Sequence, residues 1–146
     1  MFRLIACDRD GAPVETLGAL PPELHENCVA TGAFLASVGF EPPWIGYVCV
    51  SDDAPVGCCA FVGPPKDGAV EISYFTLPAF EGRGFASQAA AHMVAIARRA
   101  GGVAITAKTM PEENASTKIL RRNGFAYVGE TEDHEIGVAW LWRLPD

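Results

Sequence analysis

The segment Glu81-Gly82-Arg83-Gly84-Phe85-Ala86 joins a strand-like run to an alanine-rich run with helical spacing. Glycines at such a junction let the backbone approach a bound group closely, and free N–H groups at a helix start attract phosphate. The chemistry this loop suits is the cradling of a pyrophosphate. The same G-x-G pattern also serves as an ordinary strand-to-helix turn, and spacing alone does not choose between the two. A dinucleotide loop is disfavoured, because the third glycine position of G-x-G-x-x-G holds Ser87. Thr106, Ala107 and Lys108 also stand where that motif expects an acidic residue, about 20 positions on. A nucleoside-triphosphate loop fails for want of Gly-Lys-Ser/Thr.

The elements that position this loop follow from Pro/Gly punctuation and hydrophobic period. Phe2 to Cys7 reads as a strand ended by Asp-Arg-Asp-Gly at 8–11. Pro22 to Val38 reads as a helix, with Leu24, Cys28, Thr31, Phe34, Leu35 and Val38 on one face. Trp44 to Val50 and Pro55 to Val62 form a hairpin about Ser51-Asp52-Asp53-Ala54, and Val70 to Leu77 adds a third antiparallel strand that Pro78 stops. Phe85, Ala89, Met93, Ile96 and Ala100 mark the buried face of a second helix, which Gly101-Gly102 ends. Val103 to Ala107 is a short strand. A third helix spans Asn114 to Asn123, with Asn114 as N-cap, Glu112 and Glu113 near its start, and Asn123-Gly124 closing it. Phe125 to Val128 and Val138 to Leu144 complete an α/β (α+β) chain of order β, α, three β, α, β, α, β, β.

A length of 146 residues suits a single domain, 1–146. With 49% hydrophobic and 20% charged residues the chain has a globular composition, so disorder is not expected. No apolar stretch reaches the roughly 18–20 residues of a membrane span, and MFRLIACDRDG lacks the apolar core of a signal peptide. No membrane partner and a cytoplasmic location are therefore expected. A formal net charge of -7 would repel a polyanion, which disfavours nucleic acid. Cys7, Cys28, Cys49, Cys58 and Cys59 form no C-x-x-C pair, and His25, His92 and His134 are scattered. Reduced thiols and no metal site are expected.

Taken with their order, these residues resemble the GNAT N-acetyltransferase family, which binds acetyl-coenzyme A. The family's Arg/Gln-x-x-Gly-x-Gly/Ala signature, set between a strand and a helix, is matched at Gly84 and Ala86, with Glu81 in place of Arg or Gln. Asn114-Ala115-Ser116-Thr117-Lys118-Ile119-Leu120-Arg121-Arg122-Asn123-Gly124-Phe125 is similar to its Asn-x-x-Ser/Thr…Leu…Asn-Gly-Phe block. Glu71-Ile72-Ser73-Tyr74, leading into Leu77-Pro78, resembles the Glu-Ile-Gly-Tyr strand of the ribosomal-protein alanine acetyltransferase-like branch.

The resemblance implies a mixed, mostly antiparallel sheet of about seven strands, flanked by helices and splayed between the strand ending at Leu77 and the strand Val103–Ala107. The cofactor would occupy that gap. Backbone groups of Phe75, Thr76 and Leu77 would pair with its pantetheine arm, and N–H groups from Gly82, Arg83, Gly84, Phe85 and Ala86, with Ser87 beside them, would hold the pyrophosphate. Arg83 would add a cation, and Lys118, from the run Lys118, Arg121 and Arg122, would meet a phosphate. Asn114 would bond the pantetheine region or a water, besides capping its helix.

Acetyl transfer to an amine needs a neutral nucleophile, a polarised carbonyl and a proton for the leaving thiolate. The resemblance makes Glu71 the candidate base, directly or through a water, and Ser116 the candidate acid. Phe40, Trp44, Tyr47 and Tyr74 either line the acceptor pocket or pack in the core. The acceptor is an amine of a small molecule or peptide. A homodimer is expected from the resemblance and from nothing in the residues. The alternative is a non-catalytic acyl-coenzyme A-binding module, which needs the loop and the splayed strands but no base.

Overall fold

Asp52 and Asp53 both take left-handed backbone, φ 49° and 67°, and so reverse the chain between β2 (Gly46–Ser51) and β3 (Ala54–Phe61). Positive φ at both central residues is what a tight hairpin turn demands, and aspartate tolerates it better than most side chains. The computed structural model, which describes residues 1–146, places β1 (Phe2–Ala6) and β4 (Ala69–Thr76) on either side of this hairpin. Then come one 3-10 turn at Pro78–Phe80, α2 (Phe85–Ala100), β5 (Ala104–Thr109), α3 (Ala115–Arg122), β6 (Ala126–Asp133) and β7 (Gly137–Arg143). The first helix, α1, covers Pro22–Val38 as the sequence predicts.

The seven strands form one sheet in the order β1-β2-β3-β4-β5-β7-β6. Every neighbouring pair is antiparallel except β4 and β5. A parallel pair cannot be closed by a tight turn, so the chain crosses over through α2. That crossover contains the glycine loop.

Antiparallel register places Val70, Ile72, Tyr74, Cys59 and Phe61 on one side of the sheet, and Glu71, Ser73, Phe75 and Cys58 on the other. Helix α2 covers the first side, where Ala89, Ala90, Met93 and Ala97 join Val70, Ile72, Phe61 and Trp142 in the larger core. Helix α1 covers the second, where Leu24 and Cys28 pack on Ile5, Val48, Val50 and Leu77. Burial of this apolar surface, at roughly 25 cal/mol per Å², holds both helices to the sheet.

Several boundaries and faces differ from the sequence reading. On α1, Phe34 and Val38 point to solvent while Gly32 is buried, because α1 closes on the Asp8–Gly11 turn: a Cβ on Gly32 would stand 2.9 Å from the Gly11 nitrogen. On α2 the inward row is Ala89, Ala90, Met93 and Ala97, with Ala100 exposed, since small residues bring the helix axis close to β4. β5 starts one residue later than expected and runs on to Thr109. β6 runs five residues beyond Val128, through the polar Glu130-Thr131-Glu132-Asp133, because pairing with β7 outweighs poor strand propensity there.

All five cysteines are free, Cys58 half-buried and the others buried. The Cys49 and Cys59 sulfurs lie 3.8 Å apart. No helix is long and apolar enough to cross a membrane.

Candidate functional site

β4 and β5 pair only from Ala69 with Ala104 to Ile72 with Ala107. Both strands continue past that point, β4 to Thr76 and β5 to Thr109, without each other as partners. The sheet is therefore split, as the sequence reading expects, and an open cleft of about 520 Å³ lies at the split. Its lining includes Tyr74 and Thr76 of β4, Gly82, Gly84 and Ser87 of the loop and α2, and Ser116, Lys118 and Arg122 of α3.

The backbone donors and acceptors at this edge follow from strand alternation. Leu77 N–H donates to Val56 O and Glu71 O accepts from Val62 N–H, so the odd residues of β4 commit their main-chain groups to β3. Those of Tyr74 and Thr76 consequently face the gap. This corrects the expectation for Phe75 and Leu77, whose backbone groups are not available to a ligand; the Leu77 carbonyl also accepts from Phe80 N–H. Phe75 still contributes to the wall of the cleft, and Leu77 is buried in the α1-side core.

At the loop, Gly82 and Gly84 have φ of 78° and 82°, and an added Cβ at either would meet nothing within 4 Å. The glycines are thus needed for their left-handed backbone, not for lack of space. The first helical bond of α2 runs from Gln88 N–H to Gly84 O, and no group of the chain accepts the N–H of Gly82, Arg83, Gly84, Phe85, Ala86 or Ser87. The unpaired N–H groups of Gly82 and Gly84 in the loop and of Phe85, Ala86 and Ser87 in the first turn of α2, with Lys118 and Arg122 across the cleft, suit a doubly charged anion. Ser87 is tied in place: the Asn123 side-chain amide donates to its hydroxyl oxygen at 3.2 Å and to Ile119 O at 3.0 Å.

Two predicted ligands, Arg83 and Asn114, are placed differently. The Arg83 guanidinium lies outside the cleft, 5.5 Å over the Phe80 ring. Asn114 is also outside the lining and is engaged in a reciprocal cap, its Oδ1 accepting from Thr117 N–H and its own N–H donating to Thr117 Oγ1. Of the basic run on α3, Arg121 pairs with Glu113 and stacks 4.9 Å over Trp142, which leaves Lys118 and Arg122 to the cleft.

Ser116 does line the cleft, and the Tyr74 hydroxyl lies 3.0 Å from its Oγ. Burial pushes the Tyr74 phenol above its ordinary value, against the opposing pull of the Ser116 hydrogen bond. Sequence reasoning treated Tyr74 only as a pocket or core aromatic, since nothing local announces a hydroxyl partner on α3. The other three aromatics belong elsewhere: Trp44 meets Phe61 edge-on, Tyr47 donates its hydroxyl to Pro43 O, and Phe40 lies beneath the Arg9 guanidinium.

Glu71 sits on the opposite side of the sheet, at the last turn of pairing before the split. Its Oε1 is 3.4 Å from Lys108 Nζ, and Asp133 Oδ1 is 3.7 Å from the same ammonium. Burial raises the Glu71 carboxyl above the usual glutamate range, with Lys108 opposing. At Asp133 burial pulls the same way but is outweighed by the N–H groups of Glu135 and Ile136 and by Lys108, so its carboxyl is held low. Lys108 and Asp133 were not legible as site residues. Their convergence depends on parallel register and on the full length of β6. No group of three or more His, Cys, Asp or Glu side chains is arranged to hold a metal ion.

The sequence profile of the family described as acetyltransferase (GNAT) domain matches residues 18–126. No curated protein matches the chain. Among solved structures it is similar to an acetyltransferase from Salmonella typhimurium that modifies the N-terminal serine of the 50S ribosomal subunit protein L7/L12, with 17% identity, TM-score 0.69, and coverage of 99% of this chain and 95% of that one. A putative GNAT-family acetyltransferase from Bordetella pertussis aligns over 83% of this chain and 74% of its own, with 17% identity and TM-score 0.62. A GNAT-family acetyltransferase from Bacillus anthracis shares 18% identity and TM-score 0.58 over 68% of this chain, which spans 64% of that protein. At these identities the likeness is one of fold.

Proposed function

The chain belongs to the GNAT acetyltransferase family, and on that premise we propose that it transfers an acetyl group to a primary amine of a small molecule or peptide, which attacks the thioester directly. Acetyl-coenzyme A is the co-substrate of this family of N-acetyltransferases and supplies the activated acyl carbon. The observation that carries the reading is the coincidence, on one cleft, of an unpaired strand edge, free N–H groups of the glycine loop and the first turn of α2, and two cations. An extended amide-bearing arm finds main-chain partners at Tyr74 and Thr76, and a pyrophosphate finds donors from Gly82 to Ser87.

The remaining roles fall to side chains on either side of the split. Glu71 accepts the proton of the acceptor ammonium, directly or through a water, so that the amine is nucleophilic. The hydrogen-bonded hydroxyl pair of Ser116 and Tyr74 donates a hydrogen bond where negative charge gathers on the departing sulfur. Glu71 and this hydroxyl pair lie on opposite sides of the sheet at the split. The proteins it resembles in fold act on both protein and small-molecule amines: one modifies an N-terminal serine, and others are aminoglycoside acetyltransferases. The net charge of -7 suits a cationic acceptor.

Isothermal titration with acetyl-coenzyme A, repeated on Gly84→Glu, tests the cofactor reading. Binding in the parent protein and its loss in a variant that still folds is the expected result; no binding by the folded parent protein overturns it. A following assay for free thiol, with a peptide bearing an amino-terminal serine and with ribostamycin as acceptors, separates peptide from small-molecule chemistry. Binding without transfer to any amine would point to an acyl-coenzyme A-binding module.

A further inference from the structure

Glu71 and Asp133 share one ammonium, but they do not depend on it equally. Asp133 Oδ2 accepts N–H bonds from Glu135 at 3.0 Å and Ile136 at 3.2 Å, so that carboxylate has support from its own turn. Glu71 has a single ionic partner, Lys108, and is three-quarters buried, with 25% of its side chain exposed. The charged and titratable groups that face it are Lys108 from β5, Asp133 at the end of β6 and His134 from the turn that follows. Lys108 is itself only 26% exposed and lies one step past the last residue of β5 paired with β4, where those two strands part. A buried carboxylate with one cation beside it is ionised and oriented by that cation.

We infer that Lys108 is a positioning residue: its ammonium, held between Glu71 and Asp133, fixes the Glu71 carboxylate at the split and keeps it ionised for proton transfer. The assignment rests on the reading of Glu71 as the base. Asp133 anchors the ammonium from the far side and tempers its pull on Glu71, so the two neighbours act on the Glu71 titration in opposite directions.

The test is carbon-13 NMR of the full chain labelled at glutamate Cδ, with the Glu71 signal identified by its loss in Glu71→Gln. Lys108→Met should raise the Glu71 titration midpoint by about one pH unit or more, and Lys108→Arg should restore it. Asp133→Asn, whose amide oxygen can still accept from the turn, should lower the midpoint. An unchanged or lowered midpoint in Lys108→Met, or no fall in Asp133→Asn, overturns the proposal; the second variant decides the matter should the first fail to fold. The acid limb of acetyl transfer to a peptide with an amino-terminal serine should move with the midpoint. A midpoint that moves while the limb stays fixed instead removes Glu71 as the base, a failure distinct from that of Lys108.

Discussion

Tyr74 on β4 and Ser116 on α3 stand 42 residues apart in sequence and 3.0 Å apart at their hydroxyls. The phenol is the far stronger acid of the two, and burial keeps it protonated beyond the ordinary tyrosine value of 10.0. Whichever hydroxyl meets the departing sulfur, the other fixes its direction. Tyr74→Phe is expected to lower kcat about a hundredfold with coenzyme A affinity nearly unchanged, and Ser116→Ala to cost less. Above the acid limb set by Glu71, the Tyr74 phenol should add no fall in kcat below pH 10.0. Steady-state kinetics beside isothermal titration checks all three, and a greater loss in Ser116→Ala would make the serine the direct donor.

The buried Glu71 carboxyl has a pH signature in stability. Its folded pKa lies above the unfolded glutamate value of 4.5, so the native state holds more proton between the two and stability declines as pH rises through that window. Glu71→Gln removes this decline. Thermal melting of parent and variant across roughly pH 3 to 8, which spans carboxylate titration, should show the variant gaining relative stability above pH 4.5 and none below it.

Asn114 offers a clean separation of two roles. Its side chain caps α3 through Thr117 and lies outside the cleft. Asn114→Ala should therefore cost about 1 kcal/mol of stability while leaving acetyl-coenzyme A affinity within experimental error. A large loss of affinity, measured by titration at a temperature where the variant is folded, would instead make Asn114 a cofactor ligand.

At Gly82 and Gly84 a side chain would meet strain rather than crowding. Alanine at either position meets no neighbour but must adopt positive φ, at about 1 kcal/mol each. Denaturant unfolding should show that loss in each variant. The free N–H groups remain, so acetyl-coenzyme A binding should survive alanine where it does not survive glutamate.

Much of this arrangement is legible along the chain because it is local. Asn114 and Asn123 bracket α3 by cap chemistry, Pro22 opens α1, and Asp52-Asp53 marks the hairpin. The glycine loop and its helix give the cradle. What stays hidden depends on which strand lies beside which. Lys108 reaches Glu71 only through the parallel register of β4 and β5, Asp133 arrives at the end of a strand too polar to be read to its full length, and Tyr74 meets Ser116 across the cleft. The backbone roles of Phe75 and Leu77 were misassigned for the same reason: alternation fixes them only once β3 is known to be the partner.

The short parallel seam also governs how the molecule breathes. β1 to β4 form one plate and β5, β7 and β6 another, stitched along the sheet only from Ala69–Ala104 to Ile72–Ala107. Opening along this seam exposes the amides of β5 without unravelling either plate, and it does so at a free energy below that of global unfolding. On the proposed reading a ligand that fills the gap acts as an extra strand between the plates, so hydrogen exchange at Tyr74, Thr76 and β5 should slow on loading far more than exchange at β1 and β2.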